Sequence, residues 1–79
     1  MSSDVYEQSQ LAVAMLKSCI YKVLEENKAT GLRNSQIATK LGIRTGDGKQ
    51  RDWITKTILS MMEREEVVEQ TENKFWHLK

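Results

Sequence analysis

The sequence predicts a mainly α fold of the α+β class: three helices followed by a C-terminal two-stranded hairpin. Three observations predict it. Apolar residues recur at three- and four-residue spacings in three separate stretches, as amphipathic helices require. Gly31, Gly42 and a Gly-Asp-Gly turn separate those stretches, and no proline occurs anywhere. The last stretch, EEVVEQTENKFWHLK, reads as two short apolar runs around a polar turn.

The 79 residues are read as one domain, 1–79, near the size at which a single core only just suffices. The first helix is expected from Leu11 to Glu26, where Val13, Leu16, Ile20, Val23 and Leu24 make the buried stripe. Residues 1–9 are expected to fray or to extend into a dimer seam, with Asp4 placed to cap the first helix. The earlier half of the helix, including Tyr6, Leu11 and Met15, reads either as a dimer seam or as an ordinary cap on the core. Cys19 sits beside the apolar stripe and reads as a small buried hydrophobe.

Asn27-Lys28-Ala29-Thr30-Gly31 breaks the periodicity. Gly31 can take the left-handed conformation that ends helices, and Leu32 then turns back inward. A short second helix comes next, from Ser35 to Leu41, capped by Asn34 or Ser35 and ended by Gly42. Its buried side is Ile37, Ala38 and Leu41, with Ile43 as an anchor beyond it.

The connection Arg44-Thr45-Gly46-Asp47-Gly48-Lys49-Gln50 is longer than a tight turn between two helices, and it is cationic. TGDGKQ is no nucleotide-binding loop: its glycine spacing is wrong, Gln50 stands where Ser or Thr would hold magnesium, and no strand precedes it. The third helix is expected from Gln50 to Glu65, with Ile54, Ile58, Met61 and Met62 inward and Asp52, Thr55, Lys56 and Glu63 outward. Trp53 lies between the two faces. Beyond it, Glu66 to Gln70 is the first strand, Thr71-Glu72-Asn73 the turn, and Lys74 to Leu78 the return. Alternation puts Trp76 and Leu78 on one face of the hairpin, and Phe75 and His77 on the other.

Charge is unevenly spread. The net value is +1, yet residues 28–56 carry Lys28, Arg33, Lys40, Arg44, Lys49, Arg51 and Lys56 against Asp47 and Asp52, a local +5. The flanking thirds are each −2. A phosphate-facing surface between acidic, solvated faces leaves that footprint. Glu63, Glu65, Glu66, Glu69 and Glu72 form an acidic block near the hairpin, and its direction decides whether a phosphate backbone can approach.

Catalysis has little basis. The single histidine, His77, has no partner at a fixed spacing, and one Cys with one His cannot complete a zinc site. No enzyme activity, metal or cofactor is expected. No apolar run approaches the roughly 20 residues needed to cross a bilayer. The acidic start MSSDVYEQ lacks a signal core, so the expectation is an intracellular protein, cytoplasmic or nuclear.

Two segments carry a family resemblance. GLRNSQIATKLGI resembles the second-helix segment of winged helix-turn-helix domains, where a small residue follows the central apolar one and glycine ends the helix. EEVVEQTENKFWHLK resembles the wing of the same superfamily. The likeness runs from about Leu16 to Leu78 and implies a small DNA-binding regulator of transcription, with the third helix in the major groove. On that reading Gln50, Arg51, Thr55 and Lys56 face base edges or nearby phosphates. Arg44 and Lys49 clamp phosphates, Ser35 assists at the start of the second helix, and Asn73 and Lys74 reach the flanking backbone. The implied partner is double-stranded DNA, bound by a monomer or a homodimer. The alternative is a module that has lost DNA binding and holds a protein partner at the wing or third helix. A subset of the superfamily reads left-handed duplexes with an Asn and a Tyr four residues apart and a wing Trp. Here Thr55 and Leu59 fall at the first two positions and only Trp76 matches, so that activity is not carried over.

Overall fold

The structure, a computed structural model, describes residues 3–79. Among them the chain forms α1 (Ser3–Glu26), α2 (Asn34–Leu41), a 3-10 turn (Gly48–Gln50), α3 (Trp53–Arg64), β1 (Val68–Gln70) and β2 (Trp76–Leu78). This is the expected α+β layout, with a wing-like C-terminal hairpin.

α1 is longer than its apolar stripe predicts. It begins at Ser3, so residues 3–9 are helical rather than frayed; Met1 and Ser2 lie outside the described residues. Once the stripe from Val13 onward nucleates the helix, each added residue gains a hydrogen bond at little cost, and SDVYEQSQ contains no breaker. Asp4 sits in the first turn, where its charge complements the helix dipole, and so lies within the helix rather than capping it. Ile20 and Leu24 are fully buried, with Val13, Leu16 and Val23 packed against the core. Cys19, one residue off that face, is exposed, which corrects the expectation of a buried thiol.

The turn after α1 closes when Gly31 N–H donates to Asn27 O at 2.8 Å. Gly31 has φ +73°, and a Cβ there would lie 2.5 Å from the His77 ring and 2.8 Å from Trp76 O. Only glycine lets the chain pass this close under the hairpin. Leu32 then exchanges backbone hydrogen bonds with Trp76 in both directions, at 3.1 and 2.7 Å. That bridge adds a third rung of backbone beside β2, which no periodicity in the sequence announces.

α2 starts one residue earlier than expected, at Asn34, with Arg33 in extended geometry before it. Neither Asn34 nor Ser35 caps it. Instead the Gln36 side chain accepts from Arg33 N–H at 2.8 Å. Gly42, at φ +73°, ends the helix as predicted: its N–H reaches Thr39 O, and Ile43 N–H reaches Ala38 O.

α3 departs most from expectation. It begins at Trp53, and its fully buried residues are Thr55, Ile58, Leu59 and Met62; Ile54 and Met61 are only half-buried. The inward face is therefore rotated by about one residue. Asp52 causes this. It takes the left-handed conformation at φ 57° and is 1% exposed, not outward-facing. Its carbonyl accepts from Thr55 Oγ1 at 3.0 Å and from Asn34 Nδ2 at 3.1 Å. With its hydroxyl satisfied, Thr55 can occupy the core at no polar penalty.

In the hairpin Val68 pairs with Leu78, Glu69 with His77 and Gln70 with Trp76. Both strands are shorter than predicted, because Glu66 and Lys74 take left-handed φ values of 62° and 70° at their ends. Val68 and Trp76 are buried, joining Ile20, Leu24, Leu32, Ile37, Ile58, Leu59 and Met62 in one core. No helix among the described residues is long and apolar enough to cross a membrane.

Candidate nucleic-acid interface

Asp52 fixes the geometry of the cationic region. Its carboxylate Oδ1 accepts from Arg44 Nε at 2.9 Å and from Thr45 N–H at 3.3 Å, while its own N–H donates to Thr45 O. Asn34 adds a bond from the start of α2. One buried aspartate thus ties the loop, the second helix and the third helix together. The flexible clamp expected of Arg44 becomes a pinned strut, since its Nη1 also donates to Thr39 Oγ1 at 3.1 Å.

Between these elements and the hairpin lies a groove of about 550 Å³. Arg33, Asn34 and Ser35 line it from α2 and the residue before it. Gly48, Lys49 and Arg51 come from the loop, Lys56, Ser60 and Glu63 from α3, and Gln70, Lys74 and Trp76 from the hairpin. Trp76 and Asp52, 5% and 1% exposed, lie at its bottom. Arg33, Lys49, Arg51, Lys56 and Lys74 are all exposed around it. Five cations therefore face a groove whose acids are Glu63 and the already paired Asp52. A second, smaller groove of about 370 Å³ adjoins it through Ser35 and Arg51, and adds Lys40 and Arg44.

Arg44, bonded to Asp52, lines the second groove, and the other eight predicted residues divide into three groups. Ser35, Lys49, Arg51, Lys56 and Lys74 come together on the groove. Gln50 and Asn73 are exposed but line neither groove; Asn73 Oδ1 instead accepts from Thr71 Oγ1 within the hairpin turn. Thr55 is wholly buried, so it faces no base edge. Leu59 is buried as well, which makes both positions matched to the left-handed-duplex readers core positions. Trp53 is half-exposed at the edge of the loop, its ring near Gly46, and lines neither groove.

Sequence reasoning missed Arg33, Asn34, Ser60 and Gln70 as groove residues. Arg33 had a signal in its charge, but its setting is tertiary: the guanidinium sits 4.8 Å above the Phe75 ring, which steadies it beside the wing. Gln70 is placed by the strand register, since it lies on the Val68 face, opposite to Glu69.

The acidic block separates from the cations. Of its five members only Glu63 lines the groove. Glu65 is held by Lys17 of α1 at 2.7 Å, and Glu66 lies 3.5 Å from Lys79. Glu69 projects from the other face of the hairpin. Compared with known proteins, the chain matches no family model, no curated protein and no solved structure. Geometry and charge are what remain to assign a role.

Proposed function

We propose that this protein binds nucleic acid, double-stranded DNA in the first instance, as a small regulator of the winged helix-turn-helix type. The observation that carries the reading is the sorting of charge: Arg33, Lys49, Arg51, Lys56 and Lys74 gather on one concave surface, while four of the five nearby glutamates lie off it. Cations so placed release counterions when they meet phosphates, and that release drives non-specific affinity. The first residues of α2 add backbone N–H groups that favour an anion.

Titration of a labelled duplex against salt tests the reading. Contacts to about four phosphates give a logarithmic slope near −3 to −4. Absence of any complex with any duplex at low salt would overturn it in favour of the rival, a protein-binding module acting through the wing or third helix.

A homodimer is a second reading for the assembly, favoured by one observation. Val5, Tyr6, Leu11 and Met15 of α1 are each at least 60% exposed, and Leu11 and Met15, four residues apart, share one face of the helix. Sedimentation across protein concentration tests it.

A further inference from the structure

A recognition helix reads bases by standing proud of its neighbours, because a major groove about 12 Å wide admits one helix and little beside it. On its groove side α3 is flanked instead. Its groove-facing residues, Lys56, Ser60 and Glu63, fall at spacings of four and three on one face, and they share a concave surface with α2, the loop and the wing. Only one of the three is cationic and one is a short hydroxyl. Thr55 lies in the core, and Gln50, the residue suited to pair with adenine, lines neither groove.

From this, and resting on the nucleic-acid reading above, we infer that a single sugar–phosphate backbone lies in the groove and that recognition is indifferent to base sequence. The ring of cations supports this. Arg33 and Lys74 come from the wing side, Lys49 and Arg51 from the loop, and Lys56 from the helix, so phosphates are met from every side rather than from a helix tip. Trp76 and Asp52 at the bottom are too buried to reach a base. Continuity with the second groove through Ser35 and Arg51 extends the track for a strand longer than the first groove alone holds. The ligand chemistry is a phosphodiester strand, which either a duplex or a single strand can supply.

The test uses the full chain and fluorescence anisotropy, with three labelled duplexes of unrelated sequence and one single strand, each about 20 nucleotides long, between about 50 and 200 mM salt. The three duplexes are expected to bind within about threefold of one another, well under the roughly tenfold that one base-specific contact produces. Lys22→Ala, which removes an exposed cation of α1 that lines neither groove, is expected to leave every affinity unchanged. Arg33→Ala is expected to weaken all of them alike and to reduce the salt slope by about 1. Whichever of duplex and single strand binds tighter identifies the source of the backbone. One duplex favoured by more than about tenfold, with the preference lost in Lys56→Ala or Ser60→Ala, would overturn the inference and leave nucleic-acid binding standing. No complex with any probe would instead overturn the nucleic-acid reading itself.

Discussion

Arg44 Nε and Asp52 Oδ1 meet at 2.9 Å, the guanidinium half in solvent and the carboxylate 1% exposed. The asymmetry matters. Removing the arginine leaves a buried carboxylate whose other oxygen, Oδ2, has no hydrogen-bond partner among the described residues. Arg44→Ala is therefore expected to destabilise the fold by about 1–3 kcal/mol, the scale of a lost hydrogen bond to a charged group rather than of an exposed ion pair. The shift of the urea midpoint at unchanged m-value measures it. A shift within error would mean that the aspartate does not depend on its arginine.

The rotation of α3 gives a second expectation. Leu59 is 0% exposed, whereas Ile54 is half-buried, although the sequence pattern favours Ile54 as a core anchor. Leu59→Ala is expected to cost about 2–5 kcal/mol, and Ile54→Ala distinctly less because its site can collapse and rehydrate. Equal losses in denaturant titrations would return the helix to the orientation read from sequence.

Thr55 is the polar member of that buried face. Its hydroxyl donates to Asp52 O at 3.0 Å, a carbonyl that also accepts from Asn34 Nδ2. Thr55→Val keeps the shape and removes the donor. The expected loss is about 1 kcal/mol, since the acceptor retains another partner. The same substitution is expected to leave duplex affinity alone, which separates a core residue from a base reader in one protein preparation.

What could be read from residues alone was what local spacing controls. The α1 stripe from Val13 to Leu24, the stop at Gly42 and the facing of Trp76 against Phe75 all follow from periodicity or from one residue's backbone freedom. The failures share a cause. The position of α3 depends on Asp52, whose partners Arg44, Thr45 and Asn34 come from other segments. A threonine reads as surface until an acceptor is known to sit beneath it. The Leu32–Trp76 bridge is a single pair between distant parts of the chain, too short to leave a pattern. The groove also needs Arg33 brought up to the hairpin by Leu32 and Phe75, so Lys49, Arg51, Lys56 and Lys74 were legible as one phosphate-facing set and Arg33 only as a charge.

Two glycines separate close packing from backbone conformation. Gly31 and Gly42 share φ +73°, but a Cβ at Gly42 meets nothing within 4 Å, while one at Gly31 strikes the His77 ring and Trp76 O. Gly42→Ala is expected to cost about 1–2 kcal/mol for the left-handed conformation alone. Gly31→Ala adds the clash and is expected to cost clearly more, and to loosen the hairpin, with faster amide exchange at Leu32 and Trp76. Equal costs would mean that the turn and the hairpin do not pack as tightly as their separation indicates.

Glu63 and Glu65 test whether the sorting of charge is what governs binding. Glu63 lines the groove among the cations; Glu65, two residues on, is paired with Lys17 on α1. A phosphate backbone in the groove would meet the first carboxylate and not the second. Glu63→Gln is expected to raise duplex affinity about two- to fivefold near 0.1 M salt, the size of one exposed charge interaction. Glu65→Gln is expected to leave affinity unchanged. Raising the salt should erase the difference, because the Debye length falls to about 3 Å at 1 M. If both substitutions raised affinity alike, the glutamates would be acting through net charge, and the groove would lose its standing as the place where the phosphates lie.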